Sequence, residues 1–319
     1  MRILIAGTGG VGGYFGALLA RAGRDVVFLA RGRNLAALRE RGLTVESVDG
    51  DMRLPHVTAT DTLADAAPVD LVLVTVKSYD TSATAAVIAP VVTRETIVLS
   101  LQNGIENEGV LAAALGLPPL LGAMTQIGAE LTAPGVVRHV AQGTIFFGEM
   151  NGHESTRTRV LVELFGGAGI RHRPSAHILL MLWDKLSWNA AFNAVTALTR
   201  ATSGQAARLP QTAQLLRDVM LEVIAVARAQ GILLDPARVD PVIAYAAEHL
   251  GTLRTSMLQD VERGRRLEYD AINGAVVRAG DAIGVPTPLN RALVALLAAL
   301  DPQRPTGERG AGRVTPIRG

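Results

Sequence analysis

The sequence predicts an α/β domain at the N-terminus followed by an all-α domain at the C-terminus. In the first half, short β-branched runs alternate with helical stretches, which is typical of a parallel sheet built from βαβ units. A glycine-rich turn follows the first apolar run and opens a helical stretch. From about Ala176 onward, long segments with helical periodicity replace this alternation.

Four candidate strands, with helices between them, define the sheet of the first domain: Arg2–Ala6, Asp25–Leu29, Asp70–Val76 and Thr96–Leu101. Turn residues within Leu43–Val57 predict a small hairpin or an irregular crossing there. Three further β-rich segments follow Leu120, and we expect them to extend the same sheet: Gly122–Ile127, Val136–Val140 and Thr144–Gly148.

The second domain is expected to be helical throughout. Its candidate helices are Ala176–Thr199, Gln211–Gln230, Pro236–Leu250, Arg254–Arg263, Tyr269–Ile283 and Asn290–Leu300. The glycine-rich stretch from Gly166 to Pro174 contains the predicted boundary, which gives an α/β domain at 1–170 and a helical domain at 175–302. The tail 303–319 is rich in Pro, Gly and Arg and is predicted to be disordered.

The composition excludes several classes of protein. The chain has no cysteine, which removes disulfides, thiolate nucleophiles and cysteine-ligated zinc. Its six histidines lack metal-ligand spacing, so no metal site is expected. A formal charge of +2 is too small to indicate nucleic-acid binding. No apolar run approaches the roughly 18 residues of a membrane span, and we expect a soluble cytoplasmic protein.

Lysine is rare in this chain. Of its 31 basic residues, only Lys77 and Lys185 are lysine. Because lysine can release a proton at accessible pH and arginine cannot, both positions are candidates for a functional role. Chance retention on a solvated face is the alternative.

The glycine-rich turn, Gly7-Thr8-Gly9-Gly10-Val11-Gly12, matches the dinucleotide-binding pattern GxGxxG and stands between a strand and a helical stretch. Gly7 would allow the tight turn, Gly9 would let the backbone approach a pyrophosphate, and Gly12 would let the helix pack against the strand. The phosphates would lie at the helix N-terminus, which predicts a Rossmann-type domain. A purely structural turn is the alternative.

The end of the second strand indicates which dinucleotide binds. NAD enzymes usually place an acidic residue there, whereas this chain has Arg31 and Arg33 and no acid. A guanidinium binds a 2′-phosphate through charge-assisted hydrogen bonds, which favours NADPH, with Arg31 as the main ligand and Arg33 assisting. A solvated basic loop is the alternative.

A polar stripe marks the first helix of the second half. Lys185, Asn189 and Asn193 follow i, i+4, i+8 spacing among apolar neighbours, so they share one face of a largely buried helix. Burial lowers the pKa of a lysine and suits it to donate a proton near neutral pH. The alternative, a stripe in water, is disfavoured because asparagine is a poor residue for the middle of a helix.

A second cluster lies further along the chain. Ser256 and Asp260 share a helix face by their i, i+4 spacing, and Glu268 begins the next helical segment. An acid at that position serves equally well as a helix cap or as a catalytic group. Spacing alone does not place Glu268 beside Lys185.

These segments, in this order, resemble the ketopantoate reductase (2-dehydropantoate 2-reductase) family over nearly the whole chain outside the tail. The matching pieces are the GxGxxG turn, Ala30-Arg31-Gly32, Val76-Lys77-Ser78-Tyr79, Leu101-Gln102-Asn103-Gly104, the Lys185/Asn189/Asn193 helix, Ser256-Met257-Leu258-Gln259-Asp260, Glu268 and Ile272-Asn273-Gly274. The resemblance implies an NADPH-dependent enzyme that reduces a small branched 2-keto acid in pantothenate and coenzyme A biosynthesis.

The resemblance also implies roles for the matched residues. Lys185 would be the general acid, and Glu268 would contact the substrate and help to position this lysine. Four residues would hold the keto acid: Asn189, Asn193, Ser256 and Asn103. Lys77, Gln102 and Asn103 would lie near the nicotinamide and its ribose. The role of Asp260 stays open between structure and site, and a homodimer stays open as well.

Two departures from the family pattern flank Glu268. Leu267 stands where a small polar residue is common, and Tyr269 replaces the usual aliphatic residue. The nearest alternative is therefore a D-2-hydroxy acid dehydrogenase of the same scaffold that acts on another branched or aromatic 2-keto acid. A non-catalytic NADPH-binding sensor is a more remote alternative. Such a protein would need the glycine-rich turn and Arg31, but it would not need Lys185 together with Glu268.

Overall fold

The computed structural model describes residues 1–64, 66–118 and 120–303. Its strands are β1 (Arg2–Ala6), β2 (Asp25–Leu29), β3 (Leu43–Ser47), β4 (Met52–Leu54), β5 (Thr58–Thr60), β6 (Leu71–Val74), β7 (Ile97–Ser100), β8 (Gly122–Ala133), β9 (Val136–Gly148) and β10 (Arg171–Pro174). The helices among them are α1 (Gly10–Arg21), α2 (Gly32–Arg41), α3 (Thr81–Ile88), α4 (Asn107–Leu115) and α5 (Thr156–Gly167).

After β10 and up to residue 300, all the regular secondary-structure elements are helices. They are α6 (Ile178–Trp188), α7 (Ala194–Thr199), α8 (Ser203–Arg208), α9 (Pro210–Ala229), α10 (Val239–His249), α11 (Ser256–Glu262), α12 (Ala275–Ile283) and α13 (Pro288–Leu300). Two π-helical turns interrupt the series, Asn189–Asn193 between α6 and α7 and Asp270–Gly274 before α12. Among the described residues, no helix is both long and apolar enough to cross a membrane.

The first sheet is parallel, with the strand order β5-β2-β1-β6-β7. Its central strand β1 is buried on both faces. Ile3 and Ile5 point toward α1 and the second sheet, whereas Leu4 and Ala6 point toward α3 and α4. The Rossmann-type fold class is confirmed, and β1 and β2 have the predicted bounds. The hairpin expected within Leu43–Val57 forms as β3 paired with β4.

The expectation that the later β-rich segments extend this sheet is wrong. They form a second sheet with the order β10-β9-β3-β4, in which β8 pairs antiparallel with β9. A single isolated bridge, Leu99 to Leu121, joins the two sheets in the described chain. The physical reason lies in the first part of β9, where the buried Val137 and His139 alternate with the exposed Arg138 and Val140, as in a sheet that is solvated on one face. The segments Val136–Val140 and Thr144–Gly148 are one strand, kinked near Gln142.

The helical half has its own core, which runs from Trp183 to Leu297 and includes the fully buried Phe192 and Val223. The predicted helices occur near the expected positions, but two differ in detail. Both Ala176–Thr199 and Tyr269–Ile283 contain a π-helical turn, so neither is a continuous α-helix. The tail predicted to be disordered, 303–319, lies outside the described residues from position 304 onward.

Candidate active site

A cavity of about 1700 Å³ separates the carboxyl edge of the first sheet from the helical half. Nearly all the residues selected from the sequence line it: Gly7, Thr8, Gly9, Gly10, Val11, Arg31, Lys77, Gln102, Asn103, Lys185, Asn189, Asn193, Ser256, Asp260 and Glu268. Gly12 and Arg33 do not line it. Ligands of open α/β sheets bind at this edge, so the location itself indicates a binding site.

The glycine turn has the geometry that dinucleotide binding requires. Gly7 has a φ of +110°, and a side chain there would collide with Val76. A side chain on Gly12 would collide with the carbonyl of Gly7 and with Thr75. Gly12 does not line the cavity, and its lack of a side chain lets α1 pack closely against the turn. Gly9 has open space around it and stands at the N-cap of α1. The turn therefore exposes backbone N–H groups at a helix N-terminus, where phosphates bind.

Arg31 lies at the far end of the same cavity wall, at the N-cap of α2. Its side chain is 87% exposed and forms an ion pair with Asp80 at 3.2 Å. Exposed pairs of this kind contribute little stability, so the guanidinium can exchange Asp80 for a phosphate. Asp80 was not among the residues selected from the sequence, since nothing in its spacing places it near Arg31.

A buried ion cluster joins the two halves across the cavity. The Nζ of Lys77 donates to Asp260 Oδ2 at 2.6 Å and to Glu268 Oε2 at 2.9 Å. Burial opposes the charge on Lys77, but Glu268 and Asp260 outweigh it and raise the pKa of this lysine above its ordinary value. Asp260 therefore belongs to the charged centre of the site. Its role was open in the sequence because spacing cannot show a contact with a residue 183 positions away.

Glu268 is a buried carboxylate held by groups of the α/β half. It accepts hydrogen bonds from the backbone N–H of Ser78 at 3.0 Å and from Asn103 Nδ2 at 3.4 Å. Burial alone would raise the pKa of Glu268, but Lys77 and these donors hold it below its ordinary value. Glu268 is hydrogen-bonded to Lys77 rather than to Lys185, which differs from the arrangement implied by the family resemblance.

Lys185 has the opposite environment. Its Nζ donates to the carbonyl oxygen of Thr125 at 2.9 Å, and within the described chain its ammonium has no ion-pair partner. Burial lowers the pKa of Lys185 from 10.5 to about 8, against a smaller opposing effect of Glu268. Thr125 lies on β8 and contributes through its backbone, so no side-chain pattern could have revealed it. A lysine with a pKa near 8 is suited to proton transfer.

The polar stripe reaches the cavity as predicted, but on a π-helical turn. Asn189 and Asn193 are both buried, and Asn193 Nδ2 is a buried donor without a partner among the described residues. Ser256 is exposed to the cavity at the first position of α11, whose N-cap is Thr255. Unsatisfied donors beside a polar cavity indicate where a ligand oxygen binds.

Gln102 supports the loop between the halves. Its amide donates to the carbonyl of Val76 at 3.0 Å and to Thr81 at 2.8 Å, so its side chain is engaged within the protein. The carbonyl of Asn103 accepts from Ser78 Oγ at 2.6 Å. Ser78 lies in a segment that was recognised from the sequence, yet its contacts with Glu268, through both its backbone N–H and its hydroxyl, were missed because they join residues 190 positions apart.

The fold and the site together define a dinucleotide-dependent oxidoreductase, with the glycine turn on one side of a cleft and Lys185 on the other. The family described as "Ketopantoate reductase PanE/ApbA" matches residues 3–152, and its C-terminal counterpart matches residues 177–301. The chain belongs to this family.

Individual relatives agree with this assignment. A 2-dehydropantoate 2-reductase of Archaeoglobus fulgidus is 37% identical over 300 residues, which cover 94% of this chain and 98% of that protein. The crystal structure of a 2-dehydropantoate 2-reductase from Geobacter metallireducens superimposes with a TM-score of 0.88 at 36% identity, covering 94% of this chain and 99% of the other. D-mandelate dehydrogenase, solved with NADH and anilino(oxo)acetate, shares the fold at 23% identity, with a TM-score of 0.85 over 94% of this chain and 98% of its own.

Proposed function

We propose that the protein reduces 2-dehydropantoate (ketopantoate) to D-pantoate with NADPH, and that Lys185 is the general acid. The observation that carries the proposal is the environment of Lys185, a partly buried lysine at the cavity whose desolvated ammonium has a pKa of about 8 and lacks an ion-pair partner in the described chain. Family membership supports the same reaction.

NADPH fits the residues of the α/β half. The open space at Gly9 and the N-terminus of α1 would hold the pyrophosphate, and Arg31 would hold the 2′-phosphate. Lys77 and Asn103 would contact the nicotinamide ribose, with Gln102 fixing their loop. When bound, the cofactor supplies the hydride that reduces the keto carbon.

The helical half would hold the keto acid and supply the proton. Asn189, Asn193 and Ser256 would donate hydrogen bonds to the carboxylate and keto oxygens without adding a competing charge. Negative charge develops on the keto oxygen during reduction. The Lys185 ammonium would stabilise that charge and transfer its proton to the oxygen, which leaves a neutral amine and a 2-hydroxy acid.

Glu268 would act in two ways. Its charge favours the protonated form of Lys185, and its hydrogen bond with Lys77 holds the loop that faces the nicotinamide. Asp260 would share the second task, because it takes the shorter of the two bonds from Lys77.

The direct experiment is the oxidation of NADPH with ketopantoate, followed by the absorbance of the reduced nicotinamide. NADH and a series of branched and aromatic 2-keto acids are run beside it, and Lys185→Arg is the matched variant because arginine keeps the charge but cannot release a proton. Turnover of ketopantoate that is lost in Lys185→Arg supports the proposal. Activity on a different 2-keto acid, without turnover of ketopantoate, would indicate a 2-hydroxy acid dehydrogenase. Binding of NADPH without turnover of any 2-keto acid would indicate a non-catalytic sensor.

The domain boundaries belong to the same proposal. One hydrophobic core draws its residues from Ile3 to Ile170 and another from Trp183 to Leu297, which supports domains at 1–170 and 175–302. The homodimer and the cytoplasmic location stay predictions.

A further inference from the structure

Two π-helical turns meet behind the candidate keto-acid site. Asn189–Asn193 carries two of the proposed substrate ligands, and Asp270–Gly274 begins two residues after Glu268. The π-helix is rare and occurs mostly as single turns, frequently at functional sites. Asn273, in the second turn, donates from Nδ2 to the carbonyl of Ala190, inside the first turn, at 2.9 Å. A single buried side-chain amide thus joins the elements that hold the two sides of the site.

Glu222 determines the orientation of the Asn273 amide indirectly, through Asn290. The carboxylate of Glu222 can only accept hydrogen bonds, and it receives Asn290 Nδ2 at 2.8 Å and the backbone N–H groups of Leu289 and Asn290 at 2.8 and 3.0 Å. Asn290 must therefore turn its amide oxygen the other way, toward Asn273. That oxygen accepts from Asn273 Nδ2 at 3.0 Å.

The environment of the Asn273 amide oxygen, Oδ1, is consistent with this orientation. With Nδ2 between two acceptors, Oδ1 is buried and has no hydrogen-bond partner among the described residues. The flipped amide would set Oδ1 against the carbonyl of Ala190 and the oxygen of Asn290, which is the worse arrangement. Both asparagines are fully buried, so water cannot replace either bond.

We infer that Asn273 is a positioning residue for the keto-acid site, because it fixes the π-helical turn that carries Asn189 and Asn193 relative to the segment that starts at Glu268. The relay Glu222–Asn290–Asn273 sets the direction of its hydrogen bonds. The amide of Asn193 does not hold this turn through Nδ2, which has no partner in the described protein, whereas the hydrogen bond at Ala190 reaches the turn from another element. The functional consequence rests on the proposed function, whereas the structural part does not.

The test uses Asn273→Leu, which keeps the volume and removes the donor, and Asn273→Ser, which retains a shorter donor and is the gentler change. Leu297→Ala is the matched control, since Leu297 is fully buried in the same core and its apolar side chain takes part in none of these hydrogen bonds. Amide hydrogen exchange is followed in a peptide that covers the turn Asn189–Asn193, together with KM for the keto acid, kcat, the Kd of NADPH and the melting temperature.

Asn273→Leu is expected to speed exchange in this turn and to raise KM for the keto acid roughly tenfold, with the Kd of NADPH unchanged, because a buried acceptor loses its partner. Asn273→Ser should show the same pattern to a smaller extent. Leu297→Ala should lower the melting temperature without either effect. Unchanged exchange in the turn, or a rise in KM that Leu297→Ala reproduces, would overturn the inference. A parent protein that turns over no 2-keto acid would refute the proposed function, and the exchange experiment would still decide the relay.

Discussion

The two lysines of the chain are expected to have opposite effects on stability, although they face the same cavity. Lys185 is charged at neutral pH without an ion-pair partner in the described structure, whereas Lys77 neutralises two buried carboxylates. Replacing Lys185 by Met should therefore stabilise the protein at pH 7, and replacing Lys77 by Met should destabilise it.

The magnitudes follow from the two environments. The pKa of Lys185 falls from 10.5 to about 8, and at about 1.4 kcal/mol per unit this shift costs the folded state about 3.5 kcal/mol. Loss of the hydrogen bond to Thr125 offsets about 1 kcal/mol, which leaves a net gain of about 2.5 kcal/mol in Lys185→Met. Lys77→Met leaves Asp260 and Glu268 buried and unpaired, which should cost about 3 kcal/mol.

The pH dependence of the free energy of unfolding independently tests whether Lys185→Met is stabilising. Below about pH 8 the lysine at 185 is protonated in both the folded and the unfolded state, and the folded state bears the full cost. Between about 8 and 10.5 only the unfolded state retains the proton, so the stability of the parent rises with pH through this window. The advantage of Lys185→Met should therefore shrink as pH approaches 10.5.

Denaturant unfolding of the parent and the two variants, at neutral pH and near the top of this window, measures these differences. Lys77→Met serves as the control for the loss of a lysine as such. Destabilisation of Lys185→Met as large as that of Lys77→Met at pH 7, or an equal advantage of Lys185→Met at both pH values, would show that the burial of the Lys185 charge does not cost stability.

Three further predictions concern Arg31, the glycine turn and the buried Glu108 of α4. Arg31→Ala should weaken NADPH binding roughly tenfold and leave NADH binding unchanged, because only NADPH has the 2′-phosphate; fluorescence titration with both cofactors decides this, and equal losses would contradict it. Gly9→Ala should keep the melting temperature and lose NADPH affinity, since the added methyl meets only open space in the protein, whereas Gly12→Ala should lower the melting temperature because its methyl collides with Gly7; a Gly9→Ala protein that binds NADPH normally would argue against pyrophosphate at that position. Burial raises the pKa of Glu108 from 4.5 to about 7, so the stability of the parent should fall between these pH values, and Glu108→Gln should stabilise the protein more at pH 8 than near pH 5; a pH-independent difference in melting temperature would rule this out.

The sequence was sufficient for the fold class because its signals are local. The period of the apolar residues located β1, β2 and the helices after Ala176. The positive φ of Gly7 and the contact of Gly12 with the Gly7 carbonyl likewise arise within one short turn. The prediction that the segments after Leu120 extend the first sheet was wrong, because the sheet that a strand joins depends on which elements cover its second face. That information is absent from the strand itself.

The site was predictable as a set of residues but not as a set of contacts. Composition and helical spacing selected Lys77 and Lys185, and both lie at the cavity. The partner of Glu268 could not be predicted, because its bond to Lys77 joins segments 191 positions apart. The π-helical turn at Asn189 was also missed. Its hydrogen bond from Asn273 to the carbonyl of Ala190 comes from a distant segment, and helical spacing does not show such a contact.

The pH dependence of kcat/KM for the reduction of ketopantoate by NADPH shows whether Lys185 delivers the proton to a 2-keto acid. We expect kcat/KM of the parent to fall above about pH 8, where Lys185 loses its proton. In Lys185→Arg this limb should disappear, and the rate should fall by roughly two orders of magnitude or more. A parent profile without a limb near pH 8, or a Lys185→Arg variant with undiminished activity, would contradict this role of Lys185.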